Sequence, residues 1–382
     1  TEIYTLSLHD ALPILTGILK ENYLQYLTSS FHFKDKTLQK SFIEKTKQFE
    51  YLKGPFLEAT APFKPGKTIL ELTKSGDLDP SFHEFIYSAY DILKINPLYL
   101  HQSKAIQKSK LRRNLVITTG TGSGKTECFL FPIINELITE YKKGTLCPGV
   151  RALILYPMNA LANDQLSRLR EITVAINQKY PKMEITFGRY VGDTADKPSD
   201  AEGKFVDQYP GEPRIKNEIL SRIEMRENPP HILLTNYAML EYLLLRPTDS
   251  PFFDGDNANH WKFLVLDEAH VYNGANGIEI SMLLRRLKDR VCEGQKKRLQ
   301  CFATSATLIS ESSDYGKVID FATNLFDENF EYDLKDESKQ DIILGERIEV
   351  QKLENEKRAF ELEDLKSTRL NSSHRIRPRM PS

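Results

Sequence analysis

The hydrophobic pattern changes character near residue 96. Downstream of it, short apolar runs alternate with longer stretches whose apolar positions recur every three or four residues. The runs NLVITT, RALILY, EITFGRYV, HILLT, KFLVLD and LQCFAT are short and rich in β-branched and aromatic residues, which predicts strands. Several are apolar at consecutive positions, as strands buried on both faces are. Between them ECFLFPIINELITEYKK, MNALANDQLSRLREITVAIN and EISMLLRRLKDRV carry helical spacing. The expectation for residues 96–325 is an α/β domain, a parallel sheet with helices on both faces. In such sheets, ligands bind beyond the carboxyl ends of the strands.

Residues 15–95 read differently. SFIEKTKQFEYL and FHEFIYSAYDIL have helical spacing, and the Pro/Gly-containing stretch KGPFLEATAPFKPGKT interrupts them. This predicts a mostly helical N-terminal extension. Residues 195–230 are polar, with proline, glycine and mixed charges. They are expected to form a surface loop or insertion, with a nucleic-acid-facing element as the alternative. Residues 326–365 turn acidic and weakly patterned, and are expected to be a linker or the start of a next region.

Both ends call for a separate reading. Thr5–Ile14 reads TLSLHDALPI and Lys366–His374 reads KSTRLNSSH. These match translations of one frame each of a common short-read sequencing adapter and its partner. Residues 1–14 and 366–382 are therefore expected to be adapter translation, set aside in reasoning about the fold, and the chain is expected to be a fragment. The basic residues Lys366, Arg369, Arg375, Arg377 and Arg379 then carry no argument for nucleic-acid binding. With a net charge of −1, any such contact must use a local basic groove. The composition, 40% hydrophobic and 27% charged, is ordinary for a globular protein. No apolar run approaches the roughly 18–20 residues of a membrane span. Cys128, Cys147, Cys292 and Cys301 form no CxxC, so free thiols in a reducing cytoplasm are expected.

The candidate chemistry lies in two segments. TGTGSGKTE, Thr119–Glu127, follows the first strand. Gly120, Gly122 and Gly124 permit a tight turn that aims backbone N–H groups at phosphates. Thr121, Gly122, Ser123 and Gly124 would line that turn, Lys125 would reach the β- and γ-phosphates of ATP, and the Thr126 hydroxyl would bind Mg²⁺. The following helix turns its N-terminus to the same anion. LVLDEAH, Leu264–His270, ends an apolar strand in adjacent carboxylates. Asp267 would hold Mg²⁺, and Glu268 would orient or deprotonate the attacking water. Adjacent carboxylates on a strand point to opposite faces, so the chain must bend there to bring both to the metal. His270 is read as a coupler to nucleic acid or to another domain.

With these motifs the chain resembles the superfamily 2 helicases, the DEAD/DEAH-box group, over residues 96–325. That resemblance implies a RecA-like P-loop NTPase domain. YLHQSKAI at Tyr99–Ile106 looks like the adenine-reading motif, with Gln102 as its reader. LYPMNALANDQ at Leu155–Gln165 and TNYAMLEY at Thr235–Tyr242 are similar to the two motifs that hold a single strand by its phosphates, which places Pro157, Asn159, Gln165, Thr235 and Asn236 at nucleic acid. ATSATL at Ala303–Leu308 is similar to the motif that links hydrolysis to strand movement, through Ser305 and Thr307. The wording RALILYPMNALANDQL, ILLTNYAMLEYLLLRP and FLVLDEAHVYNGANGIEISMLLRRL looks like the bacterial DEAH helicases with a C-terminal cysteine-rich domain. These include a mitomycin-damage repair helicase and a phage-defence helicase, which implies 3′-to-5′ movement on DNA. The family closes its cleft with a second RecA-like domain bearing arginine fingers, and residues 15–365 show no match to one. The resulting expectation is the ATP-binding half of a DNA helicase, binding nucleotide and hydrolysing it slowly alone. A double-strand translocase, an RNA helicase, and a non-enzymatic assembly module that uses ATP as a structural ligand are the alternatives.

Overall fold

The computed structural model describes residues 8–48, 61–94, 96–120, 122–293, 295–296, 298–306 and 314–348. The chain divides into two compact units, Thr1–Ala61 and Pro62–Ser382. Among the described residues the first holds two helices, α1 (Leu8–Ser30) and α2 (Lys36–Gln48). The Asp35 carboxylate opens α2 by accepting from the N–H groups of Thr37 and Leu38. Phe42 packs against Phe31 and Phe33 across the turn.

The second unit contains α3 (Ile69–Lys74), α4 (Phe82–Ala89), α5 (Leu100–Lys110), β1 (Leu115–Thr118), α6 (Lys125–Lys142), β2 (Ala152–Leu155), α7 (Asn159–Lys179), β3 (Phe187–Arg189), α8 (Pro198–Gln208), β4 (Glu218–Ile219), α9 (Arg222–Glu227), β5 (Ile232–Thr235), α10 (Tyr237–Leu245), β6 (Phe263–Leu266), α11 (Gly274–Cys292), β7 (Gln300–Ser305), α12 (Tyr315–Phe326) and β8 (Ile342–Leu344). The strands form one eight-stranded sheet in the order β4-β3-β5-β2-β6-β7-β1-β8. Every pairing is parallel. Strand side chains alternate between faces, and the core divides accordingly. Leu115, Ile117, Ala152, Ile154, Ile232, Leu234, Phe263 and Val265 join one cluster, with α3 to α7. Val116, Leu153, Leu155, Leu233, Leu264 and Leu266 join the other, with α10, α11 and α12. This is the expected α/β, RecA-like sheet with helices on both faces.

Three boundaries differ from the sequence reading. The span 15–95 is not one extension, because residues from Pro62 on belong to the sheet's own unit. Ile69, Leu72, Phe82, Phe85 and Ile86 lie in the same buried cluster as β1 and α6, and Phe82 meets Phe131 of α6 edge-on. Residues 195–230 are not an open loop. They form α8, β4 and α9, anchored where Arg170 of α7 makes a two-pronged ion pair with the buried Glu218. The third difference lies in residues 326–348, which are not linker. β8 pairs with β1 at the sheet edge, and Arg113 grips Asp341 through two nitrogens at 2.7 Å. Among the described residues, no helix is long and apolar enough to cross a membrane.

Candidate functional site

Because all eight strands run parallel, the turns after β1, β2, β5, β6 and β7 emerge at one end of the sheet. The turn after β1 carries the glycines. Gly122 and Gly124 have φ of +71° and +73°, a left-handed conformation that favours glycine. At Gly124 a Cβ would also sit 2.3 Å from Gln102 Nε2 and 2.8 Å from Glu127 Oε2, so a side chain there would be strained in backbone and would displace both groups. Gly124 caps α6 with no side-chain hydrogen bond to the first-turn amides. Those N–H groups form an open anion cradle at the positive end of an 18-residue helix.

The cradle is braced from two sides. His101 Nε2 donates to the Ser123 carbonyl at 2.8 Å, and burial lowers the His101 pKa, which keeps the ring neutral. Gln102 Nε2 donates to the Gly124 carbonyl at 3.1 Å, while its Oε1 accepts from Tyr99 N at 2.9 Å. The adenine reading of Gln102 therefore meets a side chain whose amide is engaged by the protein at both ends. On the other side the Thr119 hydroxyl meets Ser123 Oγ, and Thr119 N donates to the Ser305 carbonyl at 3.1 Å. Glu127 receives Arg168 of α7 at 2.5 Å.

The carboxylates arrive from β6. Asp267 is buried, and that burial raises its pKa above its ordinary value. The Thr304 hydroxyl, which donates to Asp267 Oδ1, opposes the rise. Glu268 adopts φ +50°, ψ +48°, a left-handed conformation that costs a non-glycine residue about 1–2 kcal/mol. This is the bend the paired carboxylates require. It brings Glu268 Oε1 to 3.1 Å from Lys125 Nζ. His270 Nδ1 lies 3.3 Å from Glu268 Oε2 without hydrogen-bond geometry, so that buried oxygen has no hydrogen-bond partner. His270 Nδ1 also meets Ser305 Oγ at 3.2 Å. Lys125, Glu268, His270 and Ser305 thus form one chain of contacts joining the start of α6 to the turn after β6 and the end of β7.

Polar atoms near the carboxylates are left open. Glu268 Oε2, Gln165 Oε1, Tyr156 Oη and Tyr272 Oη are buried without a hydrogen-bond partner. Burial raises both phenol pKa values, with the Asp267 charge as a further cause. A hydroxyl (Thr126), two carboxylates and unsatisfied oxygens suit a hard divalent cation with its waters, so the residues fit Mg²⁺.

The strand edge is arranged otherwise. Pro157 is half-buried and Met158 exposed in the turn before α7. Gln165 does not face that surface. It is buried, and its Nε2 donates to Thr126 Oγ1 at 3.0 Å. Thr235 is also turned inward, its hydroxyl donating to the Tyr190 carbonyl at 2.5 Å. Asn236 caps α10 by accepting from Met239 N at 2.8 Å. Asn159 opens α7, and its side chain, with all of Thr121 and Thr307, lies outside the described residues. Four contributors escaped the sequence reading: His101, Glu127, Arg168 and Thr304. Three of them lay inside motifs without a role being read for them: His101 in YLHQSKAI, Glu127 in TGTGSGKTE and Thr304 in ATSATL.

A glycine cradle, a lysine and paired carboxylates at the carboxyl end of a RecA-like sheet define a P-loop nucleotide-binding domain. The model of the DEAD/DEAH box helicase family matches residues 99–315, and the chain belongs to that family. It is 31% identical to the Druantia protein DruE of Escherichia coli over 375 residues, covering 76% of this chain and 20% of that protein. It is 29% identical to the uncharacterized ATP-dependent helicase YprA of Bacillus subtilis, covering 62% of this chain and 26% of that one. Among solved structures, the DUF1998 helicase MrfA bound to DNA and AMPPNP overlaps 76% of this chain and 33% of its own, at 26% identity and a TM-score of 0.49. The chain therefore spans about a fifth to a quarter of the length of the first two relatives.

Proposed function

We propose that the chain is the ATP-binding half of a DNA helicase motor of the repair and defence type. It takes MgATP in the cleft between the glycine turn and Asp267–Glu268, and a single strand of DNA along the turns after β2 and β5. The observation that carries this reading is the contact chain Lys125–Glu268–His270–Ser305. It joins the phosphate lysine to the strand-coupling motif through the hydrolytic carboxylate.

ATP phosphates would enter the α6 cradle and draw Lys125 from Glu268. Glu268, released, would take up the attacking water and hold its proton. Thr126 and Asp267 would hold Mg²⁺, which when bound neutralises charge on the phosphates. At the strand edge Thr235 and Gln165 are occupied internally. Contact would therefore fall to the exposed turn at Pro157–Met158, to Asn236 and to the amide groups opening α7 and α10, all suited to sugar-phosphate oxygens. Arginine fingers of a second RecA-like domain would complete the site, and they contribute on the order of 10³-fold or more.

The test is binding of a fluorescent ATP analogue with Mg²⁺, with and without single-stranded DNA. Lys125→Ala removes a charge-assisted contact worth about 1.5–3 kcal/mol, so affinity falls about 10–150-fold. Tight binding that ignores Lys125→Ala would sink the reading. Single-stranded RNA in place of DNA distinguishes the two polymers.

A further inference from the structure

Gln165 sits on α7, six residues past the helix start, within a segment whose sequence assigns it to nucleic acid. The fold gives it another task. It is 9% exposed, and its Nε2 donates to Thr126 Oγ1 at 3.0 Å. Its Oε1 is buried and has no hydrogen-bond partner. The oxygen and nitrogen of a carboxamide share one carbon, so Oε1 lies at most two bond lengths farther from Thr126 than Nε2 does. A hydroxyl oxygen has two lone pairs and one proton. An N–H donated into one lone pair leaves the other for a cation and turns the proton aside. An acceptor left open beside that hydroxyl suits a hydrogen bond from a water bound to the same cation. Mg²⁺ keeps several such waters because it dehydrates reluctantly.

We propose that Gln165 is a positioning residue for the metal side of the nucleotide site. Its amide nitrogen orients the Thr126 hydroxyl, and its open amide oxygen accepts from a metal-bound water. Groups behind metal ligands act in this way, and their loss typically costs about 10–100-fold in metal affinity. The proposal rests on Thr126 being a Mg²⁺ ligand, as in the function proposed above. It also links the helix that starts at the strand edge to the metal.

The experiment measures the dissociation constant of the fluorescent ATP analogue twice for each protein, with Mg²⁺ and with EDTA. The quantity read is the ratio of the two constants. Gln165→Met keeps the volume and removes both hydrogen bonds. Its ratio is expected to fall about tenfold, with the EDTA constant within about twofold of the wild type. Gln165→Glu retains an acceptor for the water and lets Thr126 donate instead, and is expected to recover most of the ratio. A wild-type ratio in Gln165→Met overturns the proposal. So does an equal loss with and without Mg²⁺, which marks Gln165 as packing only. If Gln165→Met does not fold, a ratio in Gln165→Glu more than about tenfold below wild type overturns it. A wild-type chain that shows no Mg²⁺-dependent binding refutes the function proposed above instead, so the two failures are distinguishable.

Discussion

The two ends of the sheet hold similar residue types and treat them in opposite ways. At the amino ends of the strands, Arg151 precedes β2, His231 precedes β5 and Lys262 precedes β6. Arg151 is 1% exposed, with Nε on Glu140 at 2.9 Å and Nη1 on the carbonyls of Cys147 and Gly149 at 2.6 and 2.8 Å. Lys262 reaches Glu140 at 2.5 Å and also Glu136. His231 accepts from Thr186 N at 2.9 Å and donates from Nε2 to the Cys147 carbonyl at 3.1 Å. None of these side chains is among the buried groups without a partner. At the carboxyl ends, Glu268, Gln165, Tyr156 and Tyr272 each bury an oxygen with no hydrogen bond. A closed polar network fixes a fold, whereas one left open awaits a ligand that completes it. Between these two regions, the open oxygens lie at the proposed nucleotide site and the dense, paired charge lies at the other end.

The largest effect expected from this contrast is on chemistry. Glu268→Gln should lower the rate of ATP hydrolysis about 10²–10⁴-fold, the usual contribution of general acid–base catalysis. Nucleotide affinity should hold or rise, because Lys125 loses its competing ion pair. Single-turnover hydrolysis and equilibrium binding, measured separately, check both halves. A matched loss of binding would mean Glu268 is structural and would erase the distinction between the ends.

At the opposite end the expected effect is on stability alone. Arg151→Met leaves Glu140 facing Lys262 only, and breaking a buried pair typically costs about 3–5 kcal/mol. Urea unfolding should register that loss, while nucleotide affinity of the folded fraction stays within about twofold.

Much of the carboxyl end was legible in the sequence, and the reason is local spacing. Gly120–Thr126 and Asp267–Glu268 announce themselves because a phosphate turn and a strand-end carboxylate pair need those residues side by side. The parallel sheet was legible from consecutive apolar residues such as Leu115–Ile117. What escaped depends on partners far along the chain. Nothing near Gln165 says that it faces Thr126, 39 residues away, and nothing near Thr304 says that it holds Asp267. β4 and β8 span two and three residues, too few for a period to show. They exist because Glu218 finds Arg170 and Asp341 finds Arg113. The amino-end network was invisible for the same reason, being built from single residues that each precede a different strand.

A third expectation uses pH. Burial is the main cause that lowers the His231 pKa from 6.5 to about 4, and the Arg151 charge adds to it. Its folded pKa lies below its unfolded one, so the neutral ring stabilises the fold at neutral pH. That stability is present above the unfolded pKa near 6.5 and is lost as pH falls towards 4. At 1.36 kcal/mol per unit, the loss amounts to about 2–3 kcal/mol. Urea unfolding of wild type and His231→Gln at pH 7 and pH 4.5 isolates it. The difference between the two proteins should shrink on acidification, and a constant difference would remove His231 from the closed network.

The smallest effect is the most discriminating, because its sign reverses. Burial raises the pKa of Asp267, so its protonated form is the one the fold favours. The stability associated with protonation is present below the ordinary carboxylate range and is lost as pH rises through the raised pKa. At neutral pH the ionised carboxylate therefore works against folding. Asp267→Asn keeps an oxygen for the Thr304 hydroxyl and removes the charge, along with its repulsion from Glu268. It should stabilise the chain at pH 7, with a gap that narrows as the pH is taken into the acid range. The same change should abolish the Mg²⁺-dependent part of nucleotide binding. At the amino end, every substitution that disturbs the polar network is expected to weaken the fold. At the carboxyl end, removing one charge should strengthen the fold while it disables the site. A destabilised Asp267→Asn would show that the carboxylate is satisfied by the protein alone, and the two ends would then differ in sequence but not in kind.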